Sequence, residues 1–559
     1  LKRTRDDNMV GLISIVLAGL IGQVASDIDA NDLLVQKLSS LEELVKANQD
    51  LIDRLEKDAG ETRRAQATVP KSALEDLHGA MDNLWLIVAG ALVMIMQAGF
   101  ALLTGGICRM KNLQNVLLKN ITDVVVGTVG WYTVGFNFAY GENAHDIINT
   151  GNAFGMNYAD ADPATGIQTP KGFGAHWFFQ WAFCGAAATI VSGGVMERVQ
   201  FPAYSFYSLV MSAFIYPVVV SWTWGGGWLA GGEDGHINDV GYMDFAGSGI
   251  VHMVGGVGAL VGSIICGPRD HRWDKDREEE FIPHSTPLLV LGTFVLWFGW
   301  YGFNCGSTLE MHDKNTGLLA SHVAQTTTLS AATGGLTVFL LQYALIRKYD
   351  VGAFCNGILA GLVSITAPCA TVDTGSAVAI GFLGACIYLA SSMTLKKLHI
   401  DDPLDAFPVH GCCGAWGTLA AAIFDIGKGF SSAHGWRTWD CMESSPGNCD
   451  SSAWSKLMAA NCVQIVAVCA WTAVTSFLIF FPLGKLGLLR SPSHVQEAGA
   501  DARKHSPSKA YSFEYEDAEP PAKKHSPSKA YSQSPAKAAV APAAPSNQAA
   551  SSGAGCDSI

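Results

Sequence analysis

Long apolar segments recur along most of this chain and limit what it can fold into. Eleven of them, separated by shorter polar stretches, lie between residues 82 and 483. They are residues 82–105, 119–140, 174–196, 203–222, 245–267, 287–306, 318–346, 354–370, 373–394, 405–425 and 454–483. Most are long enough to cross a hydrocarbon core of about 30 Å. Because backbone groups find no water in lipid, spanning segments must be helical. We therefore predict an all-α, polytopic membrane protein with eleven transmembrane helices.

The composition agrees with a membrane protein and excludes some other classes. Of the 559 residues, 49% are hydrophobic and only 15% are charged, whereas about a quarter are charged in soluble proteins. A net charge of −13 gives no support for nucleic-acid binding, so we expect no nucleic-acid partner. No nucleotide-binding loop, metal-ligand cluster or nucleophile arrangement stands out. We therefore expect neither enzymatic activity nor a cofactor.

Positive charge predicts the orientation of the spans, because lysine and arginine accumulate in cytoplasmic loops. One set of loops is rich in them and the alternate set is poor. The rich set holds Arg109, Lys111, Lys119, Arg198, Arg269, Arg272, Lys275, Arg277, Arg347, Lys348, Lys396, Lys397, Lys485 and Arg490. The N-terminus is then outside and the C-terminus cytoplasmic. Cys441 and Cys449 share an outer polar loop, where a disulfide is expected.

The N-terminal 80 residues precede the spans and divide into two parts. Residues 1–26 combine a basic start with a short apolar run, which is typical of a secretory signal peptide, although an uncleaved anchor fits too. Residues 27–80 form an extracellular segment with a short heptad. Its positions are Leu34, Leu38, Leu41, Val45, Asn48, Ile52 and Leu55. A coiled-coil seam and an ordinary surface helix explain this spacing equally well.

The membrane domain covers residues 81–490, and a polar tail follows at 491–559. The tail is rich in Ser, Pro, Ala and Lys, and such a composition cannot bury enough apolar area to fold alone. The nonamer "KHSPSKAYS" occurs in it twice, at 504–512 and 524–532. We predict a cytoplasmic, largely disordered regulatory tail, with Ser506 and Ser526 as candidate kinase sites.

Two histidines lie inside apolar spans, where ionisable groups are costly and usually functional. His252 lies in "DFAGSGIVHMVGG" and His410 in "DDPLDAFPVHGCCGAWG". Each has glycine neighbours that let helices approach closely. A lone histidine could simply form a hydrogen bond between helices. Two in matching glycine-rich settings favour a shared site along a pore.

Aromatic residues cluster at the predicted outer ends of several spans. Trp224 lies in "SWTWGGGWL", and Phe303 and Ser307 lie in "FGWYGFNCGS". Aromatic faces attract small cations, more strongly as water is lost. An interfacial tryptophan belt is the alternative explanation for any single tryptophan.

Seven motifs in order resemble the ammonium transporter (Amt/Mep/Rh) family, and its Amt branch in particular. The resemblance covers about residues 80–512. The motifs are "QAGFALLTGGICRMKN", "TIVSGGVMERVQF", "YPVVVSWTWGGGWL", "DFAGSGIVHMVGG", "FGWYGFNCGS", "NGILAGLVSITAPCA" and "IDDPLDAFPVHGCCGAWGTL".

The resemblance implies an outer recruitment site for the ammonium ion. In this chain the matching residues are Trp224, Phe183 and Ser307, and Asp244 matches an aspartate that supports that site.

The resemblance also implies a pore beneath that site. Phe183 and Phe303 match two stacked rings that close it, and His252 and His410 match its twin histidines. Thr366 matches a further polar residue near the pore.

Transport of ammonium or ammonia across the cell membrane is the function this resemblance implies, by a homotrimer. Electrogenic transport and a passive ammonia channel both remain open. The alternative is an ammonium sensor that signals through its cytoplasmic tail, a hypothesis that the long duplicated tail favours. Retention of both histidines favours transport.

Overall fold

The structure is a computed structural model, and it describes most of the chain. The described residues are 31–66, 71–156, 158–161, 168–170, 172–230, 237, 240–424, 443–445, 448–449 and 453–511. The chain divides into two units, residues 1–510 and 511–559. Everything described below belongs to the first unit. The predicted signal peptide, Cys441 and Ser526 lie outside the described residues, so the disulfide, the signal peptide and the second kinase site stay predictions.

Helices account for nearly all of the regular structure that is described. In chain order they are α1 Asn31–Gln66, α2 Lys71–Ile107, α3 113–140, α4 Gly174–Val195, α5 Phe201–Trp222, α6 Ser248–Cys266, α7 Thr286–Gly306, α8 Lys314–Ile346, α9 Val351–Thr366, α10 Thr374–Lys397, α11 Phe407–Phe424, α12 Ala453–Lys485, α13 Ser493–Ala498 and α14 Ala500–Lys504. Two small antiparallel sheets lie in loops. One pairs β1 (Ala159–Ala161) with β2 (Gln168–Pro170), and the other pairs β3 (Glu443–Ser445) with β4 (Asn448–Cys449).

Each of the eleven predicted spans is helical, which confirms the all-α, polytopic fold. Within the described residues, nine helices are long and apolar enough to cross a membrane. The other two are α3, which carries Lys119 and Asp123, and the sixteen-residue α9. A sixteen-residue helix is about 24 Å long at roughly 1.5 Å per residue. Polar content in α3 and short length in α9 therefore explain why these two are less typical spans.

Close backbone contacts hold the spans together, and small residues make them possible. Where α2 and α7 pack, a Cβ added at Gly292 would lie 2.5 Å from the backbone nitrogen of Leu103. A Cβ added at Gly302 would lie 2.7 Å from the carbonyl oxygen of Ala89. Glycine at such positions lets helices approach in lipid, where no hydrophobic effect drives them together.

The basic loops meet at one end of the bundle, which identifies that end as cytoplasmic. Glu197 lies at their centre. Its carboxylate accepts hydrogen bonds from the guanidinium groups of Arg109 and Arg269 and, at 2.8 Å, from the amide of Asn112. Arg269 also pairs with Asp401, with Nε 2.8 Å from Oδ2. Burial opposes ionisation of Glu197, but the two arginines outweigh it and hold its pKa below the usual value.

The first part of the tail packs against this cytoplasmic end. The carboxylate of Asp501, in α14, accepts hydrogen bonds from the backbone nitrogens of Gln114 (2.9 Å) and Asn115 (3.0 Å). These are among the first N–H groups of α3, which lack partners within the helix. The backbone nitrogen of Ala500 donates to the side-chain oxygen of Asn112 at 2.8 Å. The start of the tail is therefore packed against the spans, and the prediction that the tail is largely disordered stays a prediction.

The predicted heptad lies on α1, a 36-residue helix that is longer than the heptad itself. The seam residues Leu41, Val45, Ile52 and Leu55 are each between 41% and 65% exposed. Leu44 and Leu51, one position before Val45 and Ile52, are exposed as well. The helix thus carries an apolar stripe that this chain leaves uncovered at the described positions. Whether a coiled coil forms there stays a prediction.

Candidate functional site

His252 and His410 meet where α6 and α11 cross in the core. The crossing is close because both helices carry glycine there. A Cβ added at Gly256 would lie only 2.2 Å from the backbone nitrogen of Gly411. Both histidines lie in π-helical turns, Ser248–Met253 and Phe407–Cys412, a local form that is frequent at functional sites. The two rings stack with centroids 5.3 Å apart, and their Nδ1 atoms lie 3.3 Å apart.

The contact between the two Nδ1 atoms determines what this pair offers to a ligand. A neutral imidazole donates from one nitrogen and accepts at the other. If both rings are neutral, one Nδ1 carries the shared hydrogen, so one ring has an accepting Nε2 and its neighbour a donating Nε2. The Nε2 of His252 is fully buried and lacks a hydrogen-bond partner among the described residues. A buried polar atom without a partner is costly, and a small polar solute would relieve that cost.

Two phenylalanines cover the histidines on the outer side. Phe183 and Phe303 are fully buried and stack with centroids 3.9 Å apart. Phe303 in turn stacks on His252 at 5.3 Å. Phe183, Phe303, His252 and His410 thus form a continuous stack of rings, called the ring column below. A water-filled passage does not fit between rings at 3.9 Å.

Thr366 lies beside the ring column and acts on it through a tryptophan. Its hydroxyl accepts a hydrogen bond from Nε1 of Trp300 at 2.9 Å and donates to the carbonyl of Leu362 at 2.7 Å. The Trp300 ring stacks on His252, with centroids 4.9 Å apart and planes 14° apart. Thr366 therefore orients Trp300, and Trp300 holds the His252 ring.

Above the ring column lies an outer cavity of about 230 Å³ that includes Trp224 and Ser307 in its lining. Trp224 meets Phe183 edge-on, with ring centroids 6.0 Å apart. The Ser307 hydroxyl donates its hydrogen to the carbonyl of Phe303 at 2.9 Å. Its oxygen lone pairs are therefore oriented away from that bond, where they could accept a hydrogen bond from a cation. The structure thus brings Trp224, Phe183 and Ser307 together at one mouth.

Asp244 does not line the outer cavity but holds residues that form the mouth. Its carboxylate accepts hydrogen bonds from four backbone nitrogens at the start of α6, those of residues 247–250, at 2.8–2.9 Å. Its own carbonyl accepts a hydrogen bond from Nε1 of Trp224 at 3.0 Å. One residue therefore fixes the start of the helix that carries His252 and the orientation of the outer tryptophan.

Asp402 plays the corresponding part for the other histidine, and sequence reasoning missed it. Its carboxylate accepts from the backbone nitrogens of Ala406 (3.0 Å) and Phe407 (2.8 Å), at the start of α11. Asp244 precedes His252 by eight residues, and Asp402 precedes His410 by the same interval. That shared interval was visible in the sequence and could have revealed Asp402.

Polar residues that the sequence did not single out also line the outer cavity. They are Tyr140, His176, Gln180, Thr308, Glu310 and Thr316. His176 and Gln180 lie on α4 at seven and three residues before Phe183, so all three share one helix face. That spacing was a usable signal, but the surrounding aromatic residues concealed it.

Comparison with known proteins identifies the family. Residues 84–511 match the model of the Ammonium Transporter Family. The chain belongs to this family. It is 39% identical over 438 residues to the ammonium transporter Amt2 of Archaeoglobus fulgidus, a match covering 76% of this chain and 87% of that protein. It is 35% identical over 435 residues to ammonium transporter 1 member 3 of Solanum lycopersicum, covering 76% of this chain and 92% of that protein.

Solved structures of ammonium transporter relatives share the fold. A protein described as a sensor Amt protein superposes with a TM-score of 0.65 at 30% identity, covering 76% of this chain and 98% of that one. Mep2 of Saccharomyces cerevisiae gives a TM-score of 0.63 at 27% identity, covering 74% and 89%. The chain is therefore a multi-pass membrane protein of the ammonium transporters and not an enzyme. The resemblance inferred from the seven motifs is confirmed.

Proposed function

We propose that this transporter takes up ammonium at the outer mouth and passes it inward as ammonia along the ring column. The ammonium ion docks between Trp224 and Phe183 by cation–π attraction and donates a hydrogen bond to Ser307. It then gives up a proton, and ammonia passes the two phenylalanines to reach the histidines. The observation that supports this most is the partnerless Nε2 of His252 beneath two aromatic rings stacked at 3.9 Å.

Deprotonation follows from the cost of burying a charge. Moving an unpaired ion out of water into an apolar interior costs far more than moving a neutral polar molecule. The described lining of the ring column is aromatic rings and neutral side chains, so it favours ammonia over the cation. Potassium has no proton to lose and would remain outside. The released proton either returns to the outer solution, which gives a passive channel, or follows the histidine pair, which gives electrogenic transport.

Currents evoked by ammonium pulses on reconstituted protein test this mechanism. We expect His252→Ala and His410→Ala to abolish transport or to decouple charge from ammonia flux. His399→Ala is the matched control, because His399 lies at the cytoplasmic end and contacts Trp273 outside the ring column. Unchanged amplitude and unchanged selectivity for ammonium over potassium in both pore variants would refute the role of the pair. Net charge moved per ammonia in the unmodified protein distinguishes the two modes.

We also propose that the protein works as a homotrimer in the cell membrane, with its α1 helices in contact. Several spans expose large apolar side chains, such as Phe294 and Phe298 on α7, which lipid or neighbouring subunits would cover. On α1 the exposed stripe is widened by Leu44 and Leu51 beyond a simple two-residue seam. A wider stripe is buried better among three helices than between two. Size measurement in detergent, with and without residues 31–66, tests this assembly.

The tail is proposed to regulate transport from the cytoplasmic side, with Ser506 and Ser526 as kinase targets. Ser506 follows His505, whose ring lies 2.9 Å from the side-chain nitrogen of Asn115. A phosphate there would add about 1.5–2 negative charges close to Asp501, and so disturb the contacts of the tail with α3. Flux through Ser506→Glu compared with Ser506→Ala tests this regulation. Equal flux in the two variants would contradict it.

A sensor role is the second candidate function. One observation favours it, since a solved relative at 30% identity is described as a sensor Amt protein. A sensor needs ammonium binding to alter its tail, but it does not need flux. Ammonium-dependent protease protection of residues 491–511 in a variant without flux would support this candidate.

A further inference from the structure

A cluster of metal-ligating side chains lies at the outer end of the bundle, beside the mouth but outside the ring column. Asp82 lies in the early turns of α2, and Glu310 and His312 lie in the loop between α7 and α8. One nitrogen of His312 and one oxygen from each carboxylate lie within 4.8 Å of one another. It is the one group of this kind found within the described residues. None of the transport steps above uses it.

Asp82 joins the loop to the helix and aligns the ligands. Its Oδ1 accepts hydrogen bonds from the backbone nitrogens of Met311 (2.7 Å) and His312 (3.2 Å). Its Oδ2 lies 2.8 Å from Nδ1 of His312. Oε2 of Glu310 lies 3.8 Å from that same Nδ1. Both carboxylates therefore converge on a single imidazole nitrogen, on a loop that the helix holds in place.

A second imidazole lies against the first. His78 is one turn before Asp82 on α2, and its ring stacks on that of His312 with centroids 4.6 Å apart and planes 24° apart. A simple pair of aspartate and histidine needs neither the second carboxylate nor the second ring. The packing also limits the ways in which the His312 ring can turn.

We infer that Asp82, Glu310 and His312 form a binding site for a divalent transition-metal ion. Nitrogen and carboxylate ligands suit Zn²⁺, which is bound at about 2.0–2.2 Å in tetrahedral sites. Two carboxylates balance the charge of the ion, and the fourth position is left for water. Calcium prefers about 6–8 oxygen ligands, so one imidazole and two carboxylates favour a transition metal. The ion replaces the hydrogen that Nδ1 shares with Asp82.

Occupancy is expected to weaken ammonium docking, and this second step rests on the proposed function. Glu310 lines the same outer cavity as Trp224 and Ser307. Thr308 lines that cavity as well, and its hydroxyl lies 3.0 Å from the carbonyl of Glu310. A bound dication adds positive charge at the rim and engages the Glu310 carboxylate. Both effects oppose the approach of a second cation.

Zinc titration of the full chain in lipid nanodiscs, after removal of metals by a chelator, tests the site. We expect one Zn²⁺ per chain, with at least tenfold weaker binding in His312→Ala and in Glu310→Gln. His271→Ala is the matched control, because His271 pairs with Asp274 at 2.7 Å without belonging to a three-ligand group. Failure of zinc to bind stoichiometrically, or equal affinity in His312→Ala and the unmodified protein, would overturn the site.

Ammonium uptake with and without external Zn²⁺ tests the coupling. We expect zinc to raise the half-saturating ammonium concentration of the unmodified protein and to leave that of His312→Ala unchanged. If the variants lose zinc binding but zinc does not change the half-saturating ammonium concentration of the unmodified protein, the coupling is overturned and the site is supported. If the protein binds zinc but transports no ammonium, the result supports the metal site and counts against the proposed function. The two failures can therefore be told apart.

Discussion

Replacement of Trp224 by leucine isolates the cation–π part of ammonium docking. Leucine keeps the position apolar but removes the aromatic face. The Trp224 ring is half-buried, borders the outer cavity and meets Phe183 edge-on at 6.0 Å. Cation–π attraction is worth roughly 0.5–2 kcal/mol, depending on desolvation. At about 1.4 kcal/mol for each factor of ten, the half-saturating ammonium concentration should rise about two- to thirtyfold.

The assay is uptake over a range of ammonium concentrations at fixed pH. Trp224→Phe keeps an aromatic face but loses the hydrogen bond from Nε1 to Asp244, so it should fall between the unmodified protein and Trp224→Leu. Trp228→Leu is the matched control, because Trp228 packs on Trp222 with centroids 5.8 Å apart and is not part of the cavity lining. An unchanged half-saturation in Trp224→Leu would show that this tryptophan is only an interfacial anchor.

Three further predictions concern the histidine crossing, the cytoplasmic end and the tail. Gly256→Val should abolish flux and lower the melting temperature, because even its Cβ would lie 2.2 Å from the backbone of Gly411. Flux assays and thermal unfolding in detergent measure the two effects. A functional variant would contradict the close crossing. Glu197→Gln leaves buried Arg109 without its counter-charge and removes one of the two carboxylates that pair with Arg269, so it should cost about 3–5 kcal/mol of stability. Since the pKa of Glu197 is lowered, the stability it provides is present above the usual glutamate pKa and is lost as pH falls through the lowered value, which thermal unfolding against pH would show. Deletion of residues 500–559 should change the transport rate without preventing membrane insertion, and unaltered flux would exclude a regulatory tail.

The spans were predictable from the sequence because lipid imposes one simple requirement on them. A segment such as 174–196 is mostly apolar and contains no Asp, Glu, Lys or Arg, and its observed helix, Gly174–Val195, differs by one residue. The apolar span was predicted to begin at 119, whereas its helix α3 begins at 113. The first turn of α3 contains the polar residues Gln114 and Asn115 and lies outside the apolar run. Their backbone nitrogens are satisfied by Asp501, nearly 400 residues away, a contact that no local pattern can predict.

Parts of the site were predictable for a different reason. His252, His410 and the aromatic residues stand out chemically from their surroundings. For Asp402 the one usable signal was its eight-residue interval before His410. The stacking of Trp300 on His252 gave no such signal, because it depends on which helices cross. An aspartate at the end of a span resembles any loop aspartate until its helix start is known. Residues that act by holding another residue carry little signal of their own.

The repeated arrangement of aspartate and histidine explains how one site can be built from two distant segments. In each segment, an aspartate accepts hydrogen bonds from the first N–H groups of a helix. Eight residues later, a histidine lies in a π-helical turn and faces the core. The two rings are nevertheless not equivalent. His252 stacks on Phe303 and Trp300, towards the mouth, whereas the ring nearest to His410 apart from its partner is Phe100, at 6.4 Å. If both rings are neutral and share one hydrogen between their Nδ1 atoms, a change of tautomer at the outer ring changes the donor and acceptor roles of the inner one. Under the proposed mechanism, such a pair would pass a neutral solute from one ring to the next without a charge in the aromatic stack above them.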